Sequence, residues 1–446
     1  MGIYKDMTET VRNRDIKKRQ NLILIIIYII LTIAVMSDIL RIPNTSITFF
    51  RISIPLAVFI IMLFPKWIKR FMLISGGFFM LNIFYNLLFY KVYRTDLDFQ
   101  LSEFLKYSIL YVSIFIILIL VCIVKEISGE EFEKEFMRWI KVVGMLLIAV
   151  LFLYDFIPDF FGSLPLDNPN NYGCYIAAVF PFYLLGAYKE RKVIYLWAIG
   201  IGLVALYIND SKISLFGVFF QVALLFFVMS SKTKGSFFIR RIAIPVLAVF
   251  GVFILIFVVN PSIHGYSLQG IISEPLRRIL MNDPYPTYTA SVSFRTNTTI
   301  FALSTLWRLK GLGLGAGNLG VVLKDQFPDI NPAYTNALNA TSMSLHNSWL
   351  EFMIDMGIVG IVLLILPLIY AVRLYFGKYN MSYMEKLVLI FTISFPVWSL
   401  GPSGVYTQYF LFAVITFLVI CRKDSDFGGH FEIAQVCSEE NKKKDY

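Results

Sequence analysis

The chain alternates long apolar runs with short polar clusters. Apolar runs begin at Asn21, Ser46, Phe71, Leu105, Trp139, Cys174, Val193, Ile213 and Ile242, with three more near Leu345, Leu387 and Thr407. Each approaches the roughly 20 residues a helix needs to cross ~30 Å of hydrocarbon at ~1.5 Å per residue. Lipid offers no partners to backbone N–H and C=O groups, so such runs fold as helices that satisfy themselves. The pattern predicts an all-α, polytopic integral membrane protein with about 12 transmembrane helices. The first run lacks a small-residue cleavage site and a second follows at once, so it reads as a span rather than a signal peptide.

The polar clusters set the expected organisation. Residues 1–20 form a cytoplasmic N-terminal tail, 21–259 hold helices one to nine, 345–421 hold helices ten to twelve, and 422–446 form a cytoplasmic C-terminal tail. Between them, residues 260–344 form one large extracytoplasmic loop. Loops beyond ~12–15 residues in compact proteins are usually functional or disordered. This one carries aromatics and a helix-like stretch, which marks it as the place for an active site. Lys and Arg cluster in alternate connections, including Lys66, Lys69 and Arg70, then Lys189, Arg191 and Lys192. By the cytoplasmic bias of basic residues, both termini face the cytoplasm.

Composition sharpens this picture. The 446 residues are 57% hydrophobic and only 16% charged, with mean hydropathy +0.69. Soluble proteins run nearer ~45–50% apolar and ~25% charged. Too little charge remains to cover a water-soluble body of this size, which excludes a soluble enzyme or a DNA-binding protein. The net charge of +10 reflects the membrane bias of Lys and Arg, and no nucleic-acid partner is expected. Cys122, Cys174, Cys421 and Cys437 show no metal-ligand spacing and no disulfide framework. Neither a metal nor a cofactor is expected.

Chemistry-bearing residues concentrate in three places. In residues 291–320, SVSFRTNTTIFALSTLWRLKGLGLGAGNLG, Ser291 or Ser293 is read as a helix cap, with Ile300, Leu303 and Trp307 at helical spacing. Arg308, Lys310 and Gly311 are helix-stop chemistry, and Arg308 is also a candidate substrate contact. Arg295 falls in the expected first turn, where the helix dipole disfavours a cation. An anion shared between its guanidinium and the free N–H groups would explain it; a solvated surface arginine is the alternative. The GAGNLG stretch matches a dinucleotide pattern without its βαβ setting, so a glycine turn permitting close backbone approach is the better reading.

In SLHNSWLEFMIDMGIVGIVLLI, residues 344–365, Ser344 is expected to cap the tenth span and to put His346 in its first turn. The positive helix end would then favour a neutral, base-competent imidazole; an interfacial histidine without a role is the alternative. Asn347, Glu351 and Asp355 recur every four residues as one polar stripe, too costly to face lipid and so turned to the interior or a wet cavity. Gly357 and Gly360 read as close-packing positions. In the third place, Lys212 sits in a short hairpin beside Asp210, where it either neutralises an anionic ligand or snorkels and pairs. Asn168, Asn170 and Asn171 in LDNPNNYG either bond a sugar or serve turns and caps. His264 and His430 have no matching partners.

In this order, these landmarks resemble the O-antigen ligase and O-antigen polymerase superfamily of bacterial envelope glycosyltransferases. The matching stretches are DNPNNYG opening a span, the D-S-K turn where the family usually has Ser-Arg-Gly, and the arginine helix ending in GLGLGAGNLG. LHNSWLEFMIDMGIVG completes the set, and sequence matching covers about residues 166–362. The resemblance implies a donor glycan on undecaprenyl pyrophosphate, attacked at its anomeric carbon by an acceptor sugar hydroxyl, with lipid pyrophosphate leaving. It implies His346 as acceptor base and Arg295 as pyrophosphate clamp, with Lys212, Arg308, Asn347, Glu351 and Asn171 as substrate contacts. Lys212 keeps the charge of the expected arginine but loses its bidentate fork.

The expected activity is polymerisation of lipid-linked repeats into capsular, exopolysaccharide or O-antigen chains. Ligase-type transfer of finished glycan to a lipid or protein acceptor is the alternative. The Ile, Lys, Asn, Phe and Tyr richness suits an AT-rich genome, and many such bacteria lack lipopolysaccharide, which favours the polymerase. A flippase of the same lipid-linked units is the rival from another class; it should show repeated halves and mid-membrane charges, and neither is visible. The expected partners are the lipid-linked donor and acceptor, the lipid bilayer, and a chain-length regulator and flippase of the same pathway.

Overall fold

The computed structural model describes residues 2–37, 40, 48–93, 101–156, 169–208, 211–229, 262–263, 266–267, 290–319, 322, 347–377, 381 and 383–399. The spans expected from Ile242 and Thr407, the tail 422–446, and His264 and His430 lie outside them. The chain order is α1 (Gly2–Val35), α2 (Phe49–Met62), α3 (Pro65–Tyr93), α4 (Leu101–Ser128), α5 (Phe132–Phe156), α6 (Pro169–Glu190), α7 (Val193–Ile208) and α8 (Lys212–Met229). After these come α9 (Ala290–Arg308), α10 (Ser348–Gly377) and α11 (Tyr383–Trp398). A two-residue antiparallel bridge, β1 (Ser262–Ile263) with β2 (Tyr266–Ser267), precedes α9. The protein is mostly helical.

Among the described residues, three helical stretches are long and apolar enough to cross a membrane: Lys18–Val35, Pro65–Phe89 and Tyr111–Tyr154. The last spans α4 and α5, broken by a short 3-10 turn at Gly129–Glu131. Shorter apolar helices cover Phe49–Met62, Val193–Ile208 and Ile213–Phe226. Two boundaries differ from the sequence pattern. The helix of the first span begins at Gly2, so the polar segment expected as a tail is helical. The second span is only 14 residues long, because Thr48 caps it, accepting from Arg51 N at 3.3 Å, and Pro65 starts the next helix two residues after Leu63. The residue before a proline is pushed away from helical geometry, which fixes that turn.

The fold centres on α6. Cys174 through Leu185 are all buried, and α6 packs on α5, α7, α8 and α11. Large apolar side chains stay exposed on the outer helices, among them Trp197 and Tyr207 on α7, Phe226 on α8, and Met80, Phe84 and Leu87 on α3. Exposed apolar side chains of this size suit a surface that meets lipid.

Two polar seams tie this bundle. Gln221 Nε2 donates to Ala177 O (2.9 Å) and to Ser394 Oγ (3.2 Å), and Trp398 Nε1 donates to the same Oγ at 3.2 Å. The seam joins α6, α8 and α11. Gly217 makes it possible, since a Cβ there would stand 2.4 Å from the Trp398 Cβ.

The second seam joins the end of α6 and the start of α7 to the body of α5. Buried Lys141 pairs with Glu190 and lies over the Tyr195 ring, 4.8 Å from its centroid. Tyr195 Oη donates to Glu190 Oε2 at 2.7 Å, and Tyr183 Oη donates to Lys141 O at 2.6 Å. Burial alone would raise the Glu190 carboxyl, but bonds from Lys141 and Tyr195, the Lys141 charge and a bond from Lys192 together hold it below its ordinary value. A depressed carboxyl contributes stability that is complete above its unfolded pKa and disappears as pH falls through the lower folded one. Glu190→Gln, which leaves Lys141 buried without its counter-charge, is expected to cost about 1–3 kcal/mol. Thermal unfolding of the detergent-solubilised protein should show that loss at neutral pH and show the difference from wild type shrinking on acidification below the ordinary carboxylate range.

Candidate functional site around a broken helix

The candidate site begins at the end of α9. Gly311 N donates to Leu306 O at 2.9 Å and Lys310 N to Trp307 O at 3.0 Å, the paired bonds that close a helix through a left-handed residue. That residue is Lys310, with φ 53°, and Gly311 follows at φ 79°. The helix therefore stops where the sequence places it, but a lysine takes the strained position expected of the glycine. Beyond it, the glycine-rich segment 311–319 runs inward between α3 and α10.

The tenth helix is broken. Gly357 has φ 57° and ψ −139° inside α10, which interrupts the i→i−4 ladder and frees backbone groups on both sides. The glycine segment meets them. Leu314 N donates to Ile354 O at 2.8 Å, Gly315 N to Asp355 O at 3.1 Å, and Ile358 N donates to Gly311 O at 2.8 Å. Tyr85 Oη on α3 donates to Met356 O at 3.3 Å. The carbonyls of three consecutive residues at the break and one N–H beyond it thus find partners outside their own helix.

This approach needs bare backbone. A Cβ at position 313 would stand 2.3 Å from Asp355 O, and one at 357 would stand 2.4 Å from Gly313 N. The close-packing reading of Gly357 and of the glycine turn holds, with a break added that the sequence pattern did not show. On the other flank, Asn82 Oδ1 accepts from Ala316 N at 3.1 Å, Asn318 Nδ2 donates to Asn86 Oδ1 at 2.7 Å, and Asn86 Nδ2 donates to Asn82 O at 2.8 Å. A small core of Phe89, Phe301, Ala302, Leu306, Leu314, Leu350 and Ile354 seals the joint.

The polar stripe of α10 turns inward as the cost of exposing it to lipid requires. Glu351 is 3% exposed and Asp355 1%, and Tyr111 Oη donates to Asp355 Oδ2 at 3.1 Å. Two buried carboxyl groups one helical turn apart therefore precede the break, one held by a tyrosine from α4.

The predicted site residues separate into groups. Asn347 caps α10, its Oδ1 accepting from Leu350 N at 3.2 Å and its carbonyl from Glu351 N at 3.0 Å. The helix thus starts at Ser348, not after Ser344, and His346 precedes the cap in the chain and lies outside the described residues. The dipole argument for its imidazole loses its basis. Arg295 is the sixth residue of α9, which begins at Ala290. It stands past the first turn and its free N–H groups, because Ser291 and Ser293 lie inside the helix rather than capping it. Arg308 ends the same helix, about 20 Å further along at 1.5 Å per residue. Arg308 is exposed and lines a cavity of about 200 Å³ with Lys310 and the end of α3.

Lys212 opens α8 as the hairpin reading expects, directly after buried Ser211. Asn171 lies in the first turn of α6, where a Cβ on Gly173 would stand 2.0 Å from Ser211 Oγ. The structure therefore brings the helix turns carrying Asn171 and Lys212 together, while Asp210 and Asn168 lie outside the described residues. Asn82, Tyr85, Asn86 and Tyr111 were missed by sequence reasoning. Their signal was present: Asn82 and Asn86 are amides one turn apart in an otherwise apolar span, which marks an interior face. Among the described residues, no group of three or more His, Cys, Asp and Glu side chains comes together.

No protein-family model matches the chain, and no curated protein matches it in sequence.

Gly357→Ala is expected to destabilise by more than about 3 kcal/mol, because it adds a positive-φ penalty to a clash with backbone. Gly200→Ala in α7, where a Cβ meets nothing within 4 Å, should change stability by no more than about 1 kcal/mol. Thermal-shift measurements on the two purified variants check the contrast. Asn82→Ala, which strands the buried Ala316 N–H, should fall between them at about 1–3 kcal/mol.

Proposed function

We propose that this chain is a membrane glycosyltransferase of the O-antigen ligase and polymerase type. It joins undecaprenyl-pyrophosphate-linked repeats into a capsular, exopolysaccharide or O-antigen chain on the outer face of the bacterial plasma membrane. The observation that carries the reading is the union of its two most telling stretches. GLGLGAGNLG and LHNSWLEFMIDMGIVG, the landmarks of the resemblance, are distant in sequence yet bonded backbone to backbone at the α10 break. Twelve spans, cytoplasmic termini and a large external loop between residues 260 and 344 belong to the same proposal.

In this reading the acceptor sugar hydroxyl attacks the anomeric carbon of the donor. A new C–O bond forms, the bond from that carbon to the pyrophosphate oxygen breaks, and lipid pyrophosphate leaves with the electron pair. His346 takes the hydroxyl proton. Arg295 balances the growing charge on the diphosphate, and pre-placed charge of this kind supplies much of the catalysis. Asn347, Glu351, Lys212 and Asn171 contact the sugars or phosphates. Arg308 is a further candidate substrate contact in this reading.

Full-length protein reconstituted with purified lipid-linked repeat should yield a ladder of lengthening lipid-linked chains. His346→Ala should slow it by about 10²–10⁴-fold, the usual share of a general base. An undiminished ladder from that variant removes the base assignment. Absence of any ladder from wild type, with transfer of finished polymer to a second acceptor instead, replaces the polymerase by a ligase.

A further inference from the structure

We infer that the end of α9 and the cavity beside it form a binding site for an anionic membrane phospholipid, with α9 lying in the membrane interface. This does not depend on the proposed transferase activity. One face of α9, Phe301, Ala302, Thr305 and Leu306, is buried. Another, Ile300, Leu303 and Trp307, is uncovered, with Trp307 88% exposed. These positions recur at helical spacing, so they form a continuous apolar stripe. A helix in an aqueous loop has no reason to keep an indole and two large aliphatic groups in water.

The surroundings say what covers the stripe. The end of α9, at Arg308–Lys310, borders the end of α3, whose candidate membrane-crossing stretch stops at Phe89 and whose Met80, Phe84 and Leu87 are exposed at the same helical spacing. Lipid-facing surface therefore runs along α3 to the edge of α9. Tryptophan beside basic residues is the composition found at the headgroup level of membranes. At that edge Arg308 and Lys310 rim the 200 Å³ cavity, whose floor includes Leu88, Phe89, Leu312 and Leu314. Two cations over an apolar floor match a ligand with a phosphate joined to acyl chains: the phosphate lies between the guanidinium and the ammonium, and the chains run down the α9 and α3 stripes. Free phosphate has no use for the apolar floor, and a zwitterionic lipid has no net charge to offer the rim.

Two measurements test this on the full chain. Nitroxide labels on Leu303→Cys and Trp307→Cys, with the native cysteines replaced, are read in vesicles by collision with oxygen and with an aqueous nickel complex. Oxygen-dominated collisions at both sites are expected; free access of the nickel complex to both overturns the interfacial placement. Lipid retention is then compared after purification from vesicles of phosphatidylglycerol or phosphatidylcholine. Two removed surface charges should weaken phosphatidylglycerol retention by about 30-fold in Arg308→Gln/Lys310→Gln, leaving phosphatidylcholine unchanged. Equal retention by wild type and variant, or displacement of the lipid by millimolar inorganic phosphate, overturns the lipid site.

Discussion

The break in α10 at Gly357 is the constraint on which the rest of the candidate site depends. It stands about 14 Å into the helix at 1.5 Å per residue, and in an apolar setting each unpaired backbone group there costs several kcal/mol. The freed carbonyls of Ile354, Asp355 and Met356 recover partners from Leu314, Gly315 and Tyr85, and Ile358 N recovers one from Gly311. The exchange works only at backbone-to-backbone distance, which Gly313 and Gly357 permit by having no side chain. The break and the glycine segment therefore require each other. Irregular backbone survives inside a membrane protein where other protein groups satisfy it, and this joint does so.

That joint also determines where charge can sit. Beside the joint Glu351 and Asp355 are buried, Asp355 accepting from Tyr111, and α9 is clamped by its C-terminal end between α3 and α10. The far end of α9 is thereby held away from the near one. Arg295 and Arg308, equal in chemistry, belong to different places: one in the body of the helix, the other at a cation-rimmed cavity beside the end of α3.

The remaining helices show the same economy of polar groups. Gln221, Ser394, Trp398 and the Ala177 carbonyl bond one another across three helices, and Lys141, Glu190 and Tyr195 join another three. Apolar packing alone lets helices in lipid slide and rotate, since tails are as apolar as the side chains. A buried amide or ion pair fixes register because misplacing it strands a polar group. The centre of this arrangement, α6, is sheathed on several sides, which accounts for its unbroken buried run through Tyr172–Leu185.

Hydrophobic patterning alone determined that the chain is helical, built of segments able to enter a membrane, and that the 344–365 stripe must avoid lipid. These are consequences of composition and period, which every residue reports locally. The same pattern misplaced the start of α9, where Ser291 and Ser293 look like caps, and the cap of α10, which falls to Asn347. Capping residues recur along a sequence, and tertiary contact selects among them. The pairing of Gly311, Gly313 and Gly315 with the Gly357 break, and the asparagine face of α3 that braces it, was decided only in three dimensions. Glycine carries no side-chain signal of its partner, and backbone hydrogen bonds between distant segments leave no periodic trace in the residues that make them.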